Sequence, residues 1–322
     1  MNQPYEQNNQ KTMTHPIVED KPHLDNIYRE LLGLVRICVH DKIEFERISK
    51  IVDAIIGVFE KNTYSTLLLH IYTKSDHNYI YSHIANNVIL SIAFAKSLGL
   101  SKEDIKEVGL CAYCHDFGMV PYLELVQKPE PLTSQEKQTI YYHPEKSVEI
   151  FKPYLSEKVA AGILDIHEYA NGKGYPRGKT AADISFLAKV VSICDVFEAL
   201  THPRNFRGEF SPYEAMKMII QKRDVIFDKR VVKKFVEFMS IYPVGNLVYL
   251  NTGETGMVVA SNPGYPTRSV IRILLNPKRE VDHSGKTVDL ARDQVLYING
   301  PVEEKEEKEI LGFLKPRGDF KS

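Results

Sequence analysis

Histidine and aspartate residues recur at regular intervals through the middle of the chain, each within an apolar, helix-like pattern. The interval between successive positions ranges from 24 residues (143 to 167) to 32 residues (83 to 115). Helices of a bundle can converge such side chains on one internal point. Imidazole plus carboxylate, without thiolate, suits iron, manganese or zinc in a hydrolytic site. The spacing therefore predicts a helical bundle with an internal metal site formed by His83, His115, Asp116, His143, His167 and Asp195.

Each of these residues has a simpler interpretation when it is taken alone. Asp195 stands in the middle of the almost entirely apolar segment 184–200. A carboxylate there costs several kcal/mol unless it is paired, hydrogen-bonded or bound to a metal. A backbone N–H or an arginine could satisfy it equally well. His83 or His167 alone would be more typical of a hydrogen-bonded core histidine. Only the combination favours a metal site.

The pattern of apolar and polar residues divides the chain into five regions. Residues 1–20 are rich in Asn, Gln and Lys and are expected to be disordered. Residues 21–72 and 73–241 carry apolar residues at helical spacing, which predicts a helical N-terminal region followed by a compact helical domain. Residues 242–300 alternate β-rich segments with turn sequences and predict a small β module. Residues 301–322 form a charged tail.

Local signals predict where several helices of the middle region begin and end. Ser101 and Thr133 are each followed three residues later by an acidic residue, which is typical of helix N-caps. Gly118 is predicted to end the helix that Ser101 opens. His167 is predicted to lie on a helix that Asn171-Gly172 ends.

Composition excludes several classes of protein. The chain has a formal net charge of -1, with 26% charged residues. This balance argues against binding of a nucleic acid polymer, which requires many phosphate-neutralising cations. The N-terminus lacks the apolar core of a secretory signal, and no apolar run is long enough to span a bilayer. We therefore expect a cytoplasmic protein whose four cysteines stay reduced.

The segment 111-CAYCHDFG-118 supports two incompatible interpretations. Cys111, Cys114 and His115 match the attachment signature of a c-type haem. His115 and Asp116 also form a doublet that suits a divalent metal ion. Covalent haem attachment usually occurs outside the cytoplasm, and no βαβ pattern supports a redox pair of cysteines. We therefore favour the metal interpretation and a helix-packing role for both cysteines.

The segments that carry these residues resemble the HD-GYP subgroup of the HD phosphohydrolases. The resemblance extends in the expected order over 79-YIYSHIANNV-88, 115-HDFGMVP-121, 143-HPEKSVEI-150, 167-HEYANGKGYP-176 and 194-CDVFEALTHPRNFR-207. It implies a mainly α fold, in which a helical HD-domain bundle follows a helical N-terminal region and precedes the small β module. It also implies a metal-dependent phosphodiesterase of bacterial signalling that opens cyclic di-GMP or a related guanine nucleotide.

The resemblance assigns roles to individual residues. A first metal ion is implied at His83, His115, Asp116 and Asp195. A second ion is implied at His143 and His167, with Asp116 bridging the two, so that one or two divalent ions are expected, of iron or alternatively manganese. His115 and Asp116 are the implied catalytic residues. Contacts with the nucleotide are implied for Tyr175, Glu198, Arg204 and Arg207.

The chain also departs from the family pattern. Met119 stands where a lysine is usual, and Ile166 where the first of two adjacent histidines is usual. Asn171 and Glu198 each replace an aspartate and can still form hydrogen bonds. Losing one preorganised transition-state donor commonly costs roughly 10²–10³ in rate. Two functions therefore remain open: a working but slow phosphodiesterase, or a non-catalytic cyclic di-GMP receptor with protein partners in signalling.

Overall fold

The computed structural model describes residues 21–40, 42–60, 79–126, 128, 130–202, 210–262 and 264–314. The predicted disordered segment 1–20 lies outside these residues. The described part consists of a helical body followed by one antiparallel sheet. The prediction of a mainly α fold with a small β module is confirmed.

The described helices follow one another along the body. Their bounds are α1 (Lys21–His40), α2 (Phe45–Glu60), α3 (Tyr79–Ser97), α4 (Lys102–Cys114), a 3-10 helix (Phe117–Tyr122), α5 (Leu123–Val126), α6 (Ser134–Ile140), α7 (His143–Phe151), α8 (Glu157–Asp165), α9 (Phe186–Thr201), α10 (Pro212–Gln221) and α11 (Lys229–Met239). No helix in these described ranges is long and apolar enough to cross a bilayer.

Helix α3 lies at the centre of the helical body. All its residues from Ile80 to Ala95 are buried, and it packs against α1, α2, α4 and α9. A helix that buries its whole circumference belongs in a protein interior. Because His83 lies on this helix, its imidazole is held deep inside the bundle.

The predicted N-caps are confirmed, whereas one predicted helix end is wrong. The Ser101 side chain accepts a hydrogen bond from the Asp104 backbone N–H, and Thr133 forms a complete capping box with Glu136. Helix α4, however, ends at Cys114 and not at Gly118. The chain continues as a 3-10 helix that contains Pro121, a residue without the N–H that a continuing α-helix requires.

The sheet follows the helical body and has its own core. Its strands are β1 (Leu247–Leu250), β2 (Thr255–Ala260), β3 (Val270–Leu275), β4 (Thr287–Asp289) and β5 (Ile298–Pro301), in the antiparallel order β4-β3-β2-β1-β5. The charged tail begins with a further helix, α12 (Glu304–Leu314). Its Ile310 is buried and packs in one apolar cluster with Leu247 and Leu275. This anchors α12 to the sheet.

Candidate metal centre

Four side chains from three parts of the bundle meet at one buried point. His83 comes from α3, His115 and Asp116 follow α4, and Asp195 lies on α9. One ligand-type atom from each lies within 4.8 Å of the others. The His83 Nε2 is 2.9 Å from Asp195 Oδ1 and 3.2 Å from Asp116 Oδ2. Four of the residues predicted from the sequence therefore converge on one site.

A second cluster shares Asp116 with the first. Asp116, His143 and His167 also offer atoms within 4.8 Å of one another. The His143 Nε2 lies 3.5 Å from Asp116 Oδ1 and 2.9 Å from His167 Nε2. Asp116 Oδ2 thus faces His83 in the first cluster, while Oδ1 lies near both His143 of the second cluster and His115 of the first, at 3.5 and 3.4 Å. This places Asp116 where a carboxylate could bridge two cations.

The outer nitrogen of three of these histidines has a hydrogen-bond partner that orients the ring. His115 Nδ1 lies 2.9 Å from the Ala112 carbonyl, and His143 Nδ1 lies 2.8 Å from the Ile140 carbonyl. His83 Nδ1 contacts the Glu198 carboxylate. Since a carbonyl or carboxylate can only accept, each Nδ1 carries a proton, and each Nε2 points inward, where it could bind a cation in place of a proton. Metal-binding histidines are oriented in this way.

The charges of the site favour ionised carboxylates. Burial on its own would raise the pKa of Asp116, but the neighbouring His115 and His83 lower that pKa well below its usual range. Burial would likewise raise the pKa of Asp195, but the neighbouring His115 and His83 lower that pKa well below its usual range. Both carboxylates are therefore in the form that binds cations.

The histidines fall into two electrostatic groups. Burial lowers the pKa of His143, and burial together with His143 lowers the pKa of His167 to about 3. These two rings are neutral. Burial would also lower the pKa of His83 and His115, but the acidic groups around each raise it above the ordinary value. In the metal-free protein, protons on His83 and His115 therefore balance the two carboxylates.

Two buried atoms at the centre have no hydrogen-bond partner within the described part of the chain. They are His115 Nε2 and Asp116 Oδ1. An unsatisfied buried polar atom costs about 1–3 kcal/mol, and both atoms face the shared point of the two clusters. A divalent cation would satisfy both atoms. The donor set of imidazole nitrogens and carboxylate oxygens suits a transition metal.

A close contact between backbones holds the His115-Asp116 segment against α7. A Cβ at Gly118 would lie 2.0 Å from the His143 carbonyl oxygen, so only glycine fits. The fully buried Ser147 reinforces this contact, because its hydroxyl donates to the His115 carbonyl and accepts from the Gly118 N–H. The sequence interpretation did not identify Ser147, and its small size in the segment HPEKSVEI was the only available signal.

His167 lies in the site, but not on a helix as the sequence predicted. Helix α8 ends at Asp165, and the chain then turns back so that the Tyr175 N–H donates to the His167 carbonyl at 3.0 Å. This return requires Gly174, where a Cβ would lie 2.3 Å from the Tyr169 backbone nitrogen. The turn at residues 167–175 therefore ends the helix before His167.

A buried carboxylate that the sequence interpretation missed fixes the loop after His167. Glu168 accepts hydrogen bonds from the backbone N–H groups of Arg177 and Lys179, at 2.7 and 2.9 Å. The Lys179 ammonium in turn lies 2.8 Å from the buried Asp165. These contacts tie both ends of the loop to the end of α8 and hold Tyr175 at the site.

Tyr175 belongs to an aromatic stack that leads from the second cluster to the surface. Its ring stacks on His167 with 5.0 Å between ring centroids, and on Tyr141 with 4.1 Å between centroids. Tyr141 is 42% exposed. The sequence interpretation named Tyr175 but not Tyr141. An exposed ring in this stack could contact a planar group next to the metal centre.

Glu198 was predicted to contact the nucleotide, but its side chain does not face the surface. Its side chain is 1% exposed, and its oxygens contact His83 Nδ1 and, at 2.9 Å, the Asn86 amide. The longer side chain that replaces aspartate here reaches the back of His83. Glu198 is therefore placed to orient a candidate metal ligand. Arg204 and Arg207 lie outside the described residues.

The remaining departures from the family pattern have clear structural settings. Ile166 is 3% exposed and belongs to the main apolar core, and Met119 packs against the edge of that core. Asn171 accepts a hydrogen bond from the Lys173 N–H at 3.1 Å and so stabilises the loop that begins there. Ile166 and Met119 therefore offer no polar group to the site, whereas Asn171 still forms a hydrogen bond.

Cys111 and Cys114 are packing residues, as predicted. Both are fully buried in the core, and burial raises the pKa of each thiol well above its ordinary value. Protonated, inaccessible thiols are unsuited to nucleophilic or redox chemistry. His115, the third member of the haem-like motif, directs its Nε2 toward Asp116 and Asp195.

Comparison with known proteins agrees with this geometry. Residues 75–231 match the HD domain, and residues 247–310 match the KOW domain associated with HD domain. The chain is 29% identical over 233 residues to cyclic di-GMP phosphodiesterase PA4108 of Pseudomonas aeruginosa, covering 71% of this chain and 56% of that protein. It is 30% identical over 166 residues to 3'3'-cGAMP-specific phosphodiesterase 1 of Vibrio cholerae, covering 51% and 38% of the two chains.

The fold also has a counterpart among solved structures. Bd1817, an HDG"Y"P protein from Bdellovibrio bacteriovorus, superposes with a TM-score of 0.56 at 20% identity, covering 70% of this chain and 72% of that chain. This likeness concerns the fold. The chain spans 56% of the length of the Pseudomonas relative and 38% of the Vibrio relative.

Adjoining histidine–aspartate clusters inside a helical bundle, together with the match over residues 75–231, identify an HD domain in this chain. The chain is similar in sequence to cyclic-dinucleotide phosphodiesterases and similar in fold to an HDG"Y"P protein.

Proposed function

We propose that this protein is a metal-dependent phosphodiesterase that hydrolyses cyclic di-GMP or a related cyclic dinucleotide. The observation that carries the proposal is the position of Asp116, whose carboxylate is shared by two clusters of potential ligands. The names of the Pseudomonas and Vibrio relatives support a cyclic dinucleotide as the substrate class. Iron is the metal expected from the family resemblance, and manganese is the alternative.

The proposed metal ligands are the six residues of the two clusters. Divalent ions in such a pair of sites supply Lewis-acid polarisation of phosphoryl oxygens and an acidified water molecule. The protein's contribution is to hold the ligands in position. Ala112, Ile140 and Glu198 orient three imidazoles through their Nδ1 atoms. Asp116 holds the two clusters together through its two oxygens, and burial of the centre limits access of solvent.

Tyr175 and Tyr141 are the residues proposed to meet the nucleotide. Their stack begins at His167 in the second cluster and ends at an exposed ring, so a base bound there would lie next to the phosphodiester to be cleaved. Arg204 and Arg207 stay proposed phosphate or guanine contacts on the basis of the sequence resemblance. Guanidinium groups suit both partners.

The domain organisation is also proposed as predicted. The helical region 21–72 precedes the phosphohydrolase domain 73–241, and the β module 242–300 leads into the charged tail 301–322. The buried contact of Ile310 with the sheet supports a β module whose stability includes the first part of the tail.

A non-catalytic receptor for the same ligand is the second candidate. The observation that favours it is the setting of Ile166, which is buried in apolar core where the family pattern places a metal ligand. Met119 likewise offers no positive charge for a developing phosphorane. A protein of this kind would bind the dinucleotide and pass the signal to a protein partner without turnover.

Incubation with cyclic di-GMP after anaerobic loading with Fe²⁺ or Mn²⁺, followed by chromatographic separation of the products, tests the first proposal. Formation of linear dinucleotide or GMP by the wild type, and its loss in Asp116→Ala, is the expected result. Tight binding of intact cyclic di-GMP without any product would support the receptor instead.

The double variant Met119→Lys, Ile166→His tests why turnover is slow, if it is slow. The lysine would place positive charge near the developing phosphorane, and the histidine would add a ligand to the second cluster. Because both changes act on one transition state, the double variant should raise the hydrolysis rate more than either single change. Thermal melts must accompany the assay, because an unligated imidazole in apolar core costs stability. A folded, metal-loaded double variant no faster than the wild type would favour the receptor.

A further inference from the structure

A line of buried polar side chains runs from the N-terminal helix α1 to the back of His83. The Tyr28 hydroxyl on α1 donates to Asn86 Oδ1 on α3 at 3.0 Å. The Asn86 amide nitrogen donates to Glu198 Oε1 on α9 at 2.9 Å. The other oxygen of Glu198 accepts from His83 Nδ1. Three helices thus contribute to one connected set of hydrogen bonds.

The burial of this set makes its hydrogen bonds obligatory. Tyr28 is 2% exposed, Asn86 0%, Glu198 1% and His83 3%. A buried polar group that loses its partner suffers the full cost of desolvation, about 1–3 kcal/mol and more for a charged group. Water cannot readily replace any of these contacts. The four side chains therefore hold one another in a single arrangement.

The direction of every hydrogen bond follows from the charge of Glu198. An ionised carboxylate can only accept, so Asn86 must turn its NH₂ group toward Glu198 and its oxygen toward Tyr28. The Tyr28 hydroxyl must then donate. His202 fits the same pattern, with Nδ1 3.0 Å from Glu198 Oε1 and Nε2 3.2 Å from the Asn86 nitrogen. All of these hydrogen bonds therefore lead toward Glu198, and His83 presents its Nε2 to Asp116 and Asp195 on the other side of the ring.

We propose that Tyr28 is a positioning residue for the metal centre, acting through Asn86 and Glu198 to orient His83. This inference rests on the proposed metal site. It assigns a role to a helix outside residues 75–231, the part that matches the HD domain. Helix α1 thereby helps to hold His83 of the first cluster in position. A displacement of α1 would be transmitted to a metal ligand without any change in the ligands themselves.

A matched pair of hydroxyl deletions tests this role. Tyr28→Phe removes only the hydroxyl that donates to Asn86. Tyr81→Phe is the control, because the Tyr81 hydroxyl also links α3 to α1, lying 2.7 Å from His40 Nε2, but it does not lead to Glu198. Each variant removes a hydrogen bond between α1 and α3, so a general loosening of that interface should affect both.

The measurement uses Co²⁺ alone, with affinity obtained by titration and ligand geometry from the visible d–d absorption spectrum. Loss of an outer partner of a metal ligand typically costs 10–100-fold in affinity. Because Asn86 and Glu198 stand between Tyr28 and His83, we expect the lower end of this range for Tyr28→Phe, a loss of about tenfold with a shifted spectrum. Tyr81→Phe should match the wild type in both readouts. Equal Co²⁺ affinity and identical spectra for Tyr28→Phe and Tyr81→Phe overturn the proposal.

A double-mutant cycle separates transmission through Glu198 from a separate structural effect. If Tyr28 acts through Glu198, Tyr28→Phe should cost little further Co²⁺ affinity in a Glu198→Gln background. Full additivity contradicts the proposal. Should Tyr28→Phe fail to fold, Asn86→Ala interrupts the same line, and wild-type affinity in that variant contradicts it equally. A wild type that binds no Co²⁺ would instead disprove the metal centre itself.

Discussion

Replacing Gly118 with alanine should uncouple the two metal clusters. An alanine Cβ would lie 2.0 Å from the His143 carbonyl oxygen and 2.8 Å from the Ser147 backbone nitrogen, whereas ordinary van der Waals contact begins at 3.4 Å. Both neighbours are backbone atoms of α7 and cannot rotate aside. The 3-10 helix and α7 must therefore separate by about 1.4 Å, the difference between 3.4 and 2.0 Å.

That separation is large compared with what a metal site tolerates. Ligand distances in metal sites hold to within about 0.2 Å, and Asp116 and His143 lie on opposite sides of the new gap. Any ion held by Asp116, His143 and His167 should therefore be lost. An ion held by the first cluster should persist, because His83 and Asp195 lie on α3 and α9. Overpacking of a core costs about 1–3 kcal/mol, and contact with backbone places this variant at the upper end.

Urea unfolding of the metal-free protein and elemental analysis after Mn²⁺ loading measure the two effects. Gly57→Ala is the matched control, because it lies within α2 and a Cβ there meets nothing within 4 Å. Alanine in the interior of a helix should stabilise by about 0.5–1 kcal/mol over glycine. If Gly118→Ala unfolds at the wild-type urea concentration and retains the wild-type metal content, the close contact has no role in coupling the clusters.

Three further predictions concern the same site. Asp116→Ala should lose more bound metal than His143→Ala, because Asp116 belongs to both clusters; equal loss by elemental analysis in two folded variants would contradict the shared role. Apparent Mn²⁺ affinity should rise as the pH rises above the ordinary histidine value of about 6.5. The raised pKa values of His83 and His115 favour their protonated forms, and the metal must displace those protons. Calorimetry in buffers of different ionisation enthalpy counts the released protons, and a count of zero below about pH 6.5 would contradict this direction. Tyr141→Ala should weaken cyclic di-GMP binding by about 1–3 kcal/mol, the value of base stacking on an aromatic ring, while metal content stays unchanged; unaltered affinity would remove Tyr141 from the nucleotide site.

In the metal-free protein, the histidines and the aspartates of the site should make the free energy of unfolding depend on pH in opposite directions. A raised histidine pKa contributes stability that is fully present below the unfolded value, about 6.5, and is lost as the pH rises through the folded value. The lowered pKa of Asp116 and Asp195 contributes stability that is present above about 3.8 and lost as the pH falls through their folded values. Urea midpoints across this range, compared between wild type and Asp195→Asn, measure both contributions.

The sequence by itself determined which elements form and which residues belong to the centre. Helical spacing of apolar residues and local caps such as Ser101 and Thr133 act over a few residues, so they can be read directly from the chain. The regular recurrence of histidine and aspartate predicted that the helices converge. The structure brings all six predicted metal-ligand residues into two adjoining clusters.

Only the tertiary structure decided how these residues are held. The roles of Gly118, Ser147 and the line from Tyr28 to Glu198 depend on contacts between elements that are far apart in the chain, and no local pattern predicts those contacts. Glu198 was predicted to meet the nucleotide, yet packing of α9 against α3 turns its carboxylate toward His83. Local periodicity specifies which face of a helix is buried, but the partner of a buried polar atom is set by the distance and orientation of another helix.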